Sequence, residues 1–170
     1  MILEKVVVFI GLLFSHFLNS SQLFDIGGIK PDFMIVFVLF FALRRGALFG
    51  LWVGFVAGLL TDGALGAETD TNGRVEYMVG IHSLAYSIIG YIVGKFTRNA
   101  YNENYFSITI YSLVTTLVSR IMIYFIFVTF FYSNKNFSFI GVSLYTAAIS
   151  PLLFYAFTII YRLEISNTSK

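Results

Sequence analysis

The 170-residue chain has no cysteine, only two prolines and two histidines, and a single tryptophan. The absence of cysteine excludes disulfides, thiolate metal sites, iron–sulfur clusters and cysteine nucleophiles together. The two histidines, His16 and His82, lie far apart and lack metal-ligand spacing. With two prolines, few proline kinks are expected. Charge is scarce as well: 12% of residues are charged and the net charge is +2. No Lys/Arg block could follow a phosphate backbone, so no nucleic-acid partner is expected. There is no G-x-S-x-G, no H-E-x-x-H and no Gly-rich loop ending in Lys-Ser/Thr. Neither a catalytic set, nor a metal site, nor a cofactor is expected.

What the chain has instead is apolar length. Hydrophobic residues make up 58% of it, and the mean hydropathy is +0.82. Six apolar runs fill most of the sequence: Lys5–Phe24, Asp32–Leu43, Gly46–Leu60, Val79–Phe96, Tyr105–Tyr132 and Phe139–Tyr161. A bilayer-crossing helix needs roughly 20 apolar residues. The pattern therefore predicts an all-α polytopic membrane protein: a single domain, 1–170, with six transmembrane helices. The first run reaches Phe24 without an A-x-A-like cleavage site and reads as a retained span rather than a signal peptide. The second and third runs form a tight hairpin with Arg44 and Arg45 at its turn. Both are short, so they must extend through flanking residues, thin the bilayer or sit inside the bundle.

Positive charge sets orientation. With the N-terminus in the cytoplasm, Lys5, Arg44, Arg45, Lys95, Arg98, Arg162 and Lys170 are inner, and Lys30, Arg74 and Lys135 are outer. An even number of spans then returns the C-terminus to the cytoplasm. The longest break, Thr61–Met78, is outer and acidic, with Asp-Gly and Asn-Gly turn signals. It reads as a solvated loop, with contact to a partner as the lesser alternative. No internal repeat is clear enough to indicate an inverted-repeat transporter.

Two features mark candidate sites. Gly46, Gly50, Gly54 and Gly58 recur every fourth residue, and Gly90 and Gly94 continue a small-residue face on the fourth span with Ser83 and Ser87. Helices in lipid have no hydrophobic push between them, so close backbone approach must supply packing. These glycines are expected to pack helices within the chain or to dock a partner helix. The second feature is Arg120, roughly 22 Å from the inner end of the fifth span at 1.5 Å per residue. An arginine near a helix centre costs roughly 2.5–3.5 kcal/mol on insertion scales, and such residues usually face the bundle and pair. Ser112, Thr116, Arg120 and Tyr124 are spaced by four and form one stripe. Asp32, Asp62 and His82 fall at similar depth, so an intramembrane polar cluster of Asp32, Asp62, His82 and Arg120 is expected. Asp62 is the first choice for an ion pair with Arg120, then Asp32. His16 reads as a satisfied interior histidine.

At the hairpin, PDFMIVFVLFFALRRGALFGLWVGFVAGLLTDGALG resembles the rod shape-determining protein MreD family. The pattern is Pro31-Asp32 opening a span, Arg44-Arg45-Gly46 at the turn, then Gly54, Gly58 and Asp62. The following GIHSLAYSIIGYIVGKF is similar to the family's fourth span at Gly80, Leu84, Gly90, Tyr91 and Gly94. The match is strong over Pro31–Phe96; the last two spans match in hydropathy and length. The resemblance implies a bacterial inner-membrane protein whose fold is similar to the substrate-binding subunits of energy-coupling-factor transporters. It implies no enzyme activity. The partners it implies are MreC directly, with RodA, a penicillin-binding transpeptidase and MreB as members of the same elongation machinery. The implied function is a scaffold or regulator of lateral peptidoglycan synthesis and cell shape. The competing reading is a small-molecule-binding membrane subunit of a vitamin-type transporter. An integral membrane enzyme would need a nucleophile–base pair or a metal set, and the chain offers neither.

Overall fold

The computed structural model describes residues 2–65, 67–69, 75–77, 79–97, 101, 104–131 and 137–161. Six helices carry the fold: α1 (Ile2–Ser20), α2 (Phe33–Arg45), α3 (Ala47–Leu65), α4 (Ile81–Ile92), α5 (Tyr105–Phe131) and α6 (Phe139–Tyr161). A π-helical turn, Val93–Thr97, prolongs α4. Strands β1 (Ala67–Thr69) and β2 (Val75–Tyr77) form a small antiparallel hairpin, with Ala67 opposite Tyr77. Among the described residues, three helices are long and apolar enough to cross a membrane: Ala47–Ala64, Tyr105–Phe130 and Phe139–Tyr161. The apolar part of α1, Val6–Ser20, is shorter.

The architecture is a helix wrapped by helices. α2 touches each of the other five, and around it α1, α3, α4, α5 and α6 follow one another as neighbours. Every residue from Phe33 to Arg44 is buried. The sequence anticipates this in its lack of a polar stripe, since a helix apolar all round belongs in an interior. At about 20 Å, α2 is shorter than the ~30 Å hydrocarbon core. Of the three options open to a short span, it takes the interior one.

Hydrogen bonds hold α2 at both ends. Asp32 caps its own helix by accepting from the Ile35 N–H at 3.1 Å. The Phe33 N–H donates to Asn19 of α1 at 3.0 Å, and the Asp32 N–H to Thr146 of α6 at 2.9 Å. The first orphan donors of the helix are thus met without water, as an enclosed terminus requires. At the other end Arg44, 3% exposed, donates to Thr158 Oγ1 at 3.2 Å and lies over the Phe40 ring. Both α2–α6 contacts span 114 residues, so the two helices run parallel and in register. Between these ends, Phe37, Phe40 and Phe41 meet Phe154, Phe157 and Tyr161 edge-on or tilted, with centroids 5.0–6.1 Å apart.

The α2–α3 connection is the single residue Gly46, at φ +88°. That left-handed backbone suits glycine and lets the chain reverse in one step. α3 then packs antiparallel on α4 along the glycine row. A Cβ on Gly50 would strike the Gly90 carbonyl; on Gly54, the Tyr86 carbonyl; on Gly58, the backbone of Ser83; on Gly94, that of Gly46 and Ala47. α5 and α6 pack on each other and bury small polar side chains: Ser112, Thr115, Thr116 and Ser119 on α5, and Ser143, Thr146 and Ser150 on α6. Pro151 sits within α6.

The third helix differs from expectation. It ends at Leu65, not Leu60, so Thr61 and Asp62 are helical and the hairpin begins soon after. Residues 66, 70–74 and 78 of the predicted loop lie outside the described residues. α1 stops at Ser20, short of Phe24, and a turn follows in which Gly27 and Gly28 have positive φ.

Candidate functional site

One end of the bundle holds the two buried carboxylates, Asp32 and Asp62. It is formed by the start of α2, the end of α3, the start of α4 and the C-terminal half of α5. Asp62, 1% exposed, is its best-satisfied member. Its Oδ2 accepts from the N–H of Gly80 at 2.9 Å and of Ser83 at 3.2 Å. Its Oδ1 accepts from the His82 N–H at 3.0 Å and lies 2.8 Å from His82 Nδ1. A carboxylate can only accept, so Nδ1 carries the proton in this contact. α4 opens on Gly80 at φ +103°, a residue with no side chain to cap the helix. Asp62 supplies the cap from the neighbouring helix. The negative charge also faces the positive end of the α4 dipole.

Asp32 makes the second centre. Its Oδ2 accepts from the Tyr86 hydroxyl at 2.7 Å, and both residues are buried. Tyr86 also meets the His82 ring edge-on at 5.8 Å between centroids. Tyr86 is thus the link between the Asp32 and Asp62 centres.

The structure corrects the ion pair expected for Arg120. Arg120 makes no ion pair with Asp62, with Asp32 or with any other described residue, and its Nε is buried without a hydrogen-bond partner. The physical reason is competition. The four donors on Asp62 come from α4, and Asp32 is taken by Tyr86 and the α2 terminus. The expected stripe holds in part. Ser112 and Thr116 are buried, whereas Tyr124 is 38% exposed and packs against Phe137 and Phe139. His16 also departs from expectation: its Nδ1 is buried with no hydrogen-bond partner.

Reading the sequence missed Tyr86. The available signal was a hydroxyl-bearing ring four residues after His82, on the same side of the helix. The glycines Gly50, Gly54, Gly58, Gly90 and Gly94 are all occupied in the α3–α4 contact. Among the described residues, the His82 ring contacts Asp62 but no serine or threonine hydroxyl. Ser83 and Ser87 donate to the carbonyls of Phe55 and Ser83. No group of three His, Asp or Glu side chains among the described residues could hold a metal. The arrangement joins and caps helices; it offers no activated nucleophile.

The outward faces are as apolar as the interior. Phe14, Phe17, Leu48, Trp52, Phe125 and Leu152 are each more than half exposed. A bundle with a polar cluster inside and large apolar side chains outside, carrying three helices of membrane-crossing length, is an integral membrane protein of the helical class. The model of the family described as "rod shape-determining protein MreD" matches residues 1–164. The chain belongs to the MreD family, which assigns it to rod-shape determination, and that family is a component of the shape-determining system rather than a known enzyme family. No curated protein and no solved structure gives a significant match.

Proposed function

We propose that this protein is a non-enzymatic, multi-pass scaffold of the bacterial inner membrane that supports lateral peptidoglycan synthesis. The single observation that carries the reading is the family match over nearly the whole chain, residues 1–164. In this reading all six helices form one domain, 1–170, with a fold similar to the substrate-binding subunits of energy-coupling-factor transporters. Both termini face the cytoplasm, and the short α2 crosses inside the bundle. MreC is the direct partner; RodA, a penicillin-binding transpeptidase and MreB belong to the same assembly. The glycine packing and the capped helix ends support a rigid platform over a machine with moving catalytic parts.

The competing reading is a small-molecule carrier. A carrier needs a cavity with several convergent, unoccupied polar groups. Asp32 and Asp62 are instead committed to helix termini and to Tyr86 and His82. Depletion in a rod-shaped host separates the two. Loss of rod shape with unchanged nutrient uptake, together with co-purification of MreC, is the expected result. Rods that keep their shape but lose uptake of one nutrient would replace the scaffold by the carrier.

A further inference from the structure

Seven of the eleven serine and threonine hydroxyls on α5 and α6 follow one rule; Ser107, Ser112, Thr115 and Thr116 do not, and of these four only the oxygens of Ser112 and Thr116 are fully buried. Thr109, Ser119, Thr129, Ser143, Thr146, Ser150 and Thr158 each donate to a carbonyl three or four residues back in their own helix. That is the default for such a side chain in a helix with no other partner. Ser112 and Thr116 do not follow it. They are 1% and 0% exposed, and neither hydroxyl has a protein partner. One turn further along, the buried Arg120 Nε is in the same condition. Spaced by four, the three residues lie along one side of α5, each step turned by about 40°.

Three unpartnered polar groups in a row, inside an apolar bundle, point to a shared partner. Buried polar atoms in native proteins are hydrogen-bonded, to protein or to ordered water. We propose that Ser112, Thr116 and Arg120 hold a short file of ordered water inside the bundle. The chemistry selects the occupant. An anion would carry a large desolvation cost into an apolar bundle. A cation would meet Arg120. Hydroxyls that donate and accept, next to an N–H that only donates, suit a small neutral molecule able to do both. The near-complete burial of Ser112 and Thr116 favours the smallest such molecule. Internal water commonly makes about three hydrogen bonds, the valence this row offers.

The test uses the full chain in lipid nanodiscs. A structure at a resolution that shows water should place density within hydrogen-bond distance of Thr116 Oγ1 and Arg120 Nε. Thr116→Val, which keeps shape and removes the hydroxyl, should lower the heat-aggregation midpoint by about 2–4 °C, the shift for one lost hydrogen bond in a chain of this size. Ser112→Ala should lower it as well, and serves if Thr116→Val does not accumulate. Thr109→Val, at a hydroxyl bonded to its own helix, is the control and should leave the midpoint unchanged. A dry interior with both hydroxyls turned to their own carbonyls would overturn the proposal. So would a Thr116→Val midpoint at or above the parent, or density for an ion or a larger solute.

Discussion

Replacing Asp62 by alanine should be among the most damaging single changes in this protein. The side chain accepts from three backbone N–H groups at the start of α4 and from the His82 ring. Hydrogen bonds to a charged group contribute about 1.5–3 kcal/mol each. Gly80 is only half-buried, so water recovers part of what its N–H loses. Ser83 is 3% exposed and has no such recourse. Removing the carboxylate should therefore cost about 3–5 kcal/mol, the range for breaking a buried charged network. At about 2–4 °C per kcal/mol for a chain of this size, the midpoint falls by about 6–20 °C. Asp62→Asn keeps the volume and one acceptor oxygen, so it loses one of the two oxygen-centred pairs and should fall by about half as much. His82→Ala loses the ring contact alone and should fall least. Heat-aggregation midpoints of detergent-purified variants, read by fluorescence-detected size exclusion, give the order directly. An Asp62→Ala midpoint within about 2 °C of the parent, or Asn worse than Ala, would refute the cap.

The glycine row predicts a contrast within one helix. Gly54→Ala sets a methyl against the Tyr86 backbone and should sharply reduce folded protein in the membrane, whereas Gly63→Ala meets nothing within 4 Å and should be neutral or stabilising by up to ~1 kcal/mol. Yields of a fluorescent fusion measure both. Tyr86→Phe leaves the buried Asp32 without its hydroxyl donor and should cost about 1.5–3 kcal/mol, seen as a lower midpoint with the fold intact. For topology, the inner-to-outer excess of cations predicts opposite signals from reporters fused after Arg45 and within Asp70–Gly73; equal signals would remove the six-span orientation.

Hydropathy made the helices legible, because in lipid each backbone polar group must be satisfied within its own segment. The ends of α5 and α6 fall within one residue of the runs read from the sequence. The end of α3 was not legible. Thr61-Asp62-Gly63 reads as a polar turn, yet the helix continues through it because donors from α4 neutralise Asp62. Those donors are backbone groups, which have no sequence signature. The same blindness misassigned Arg120: matching charges by depth suggested Asp62, but the α4 terminus outcompetes a side-chain cation for that carboxylate. Asp62 and His82 were legible as polar groups of neighbouring spans, and the structure brings them into contact. The Tyr86 link to Asp32 depends on how α4 is rotated, which the serine and glycine spacing alone did not fix.

The parallel clamp of α2 by α6 has a consequence in time. Asp32 and Arg44 wait for Thr146 and Thr158, each 114 residues later in the chain. At about 5–20 residues per second of synthesis, that is a delay of about 6–23 s. Through that interval the hairpin of α2 and α3 must reside in the bilayer without its final wall, a short helix facing lipid or an insertion factor. The helix made second is enclosed last. A ribosome stalled before α6 should therefore leave α2 open to membrane-embedded crosslinkers and proteases, and the release of α6 should close it.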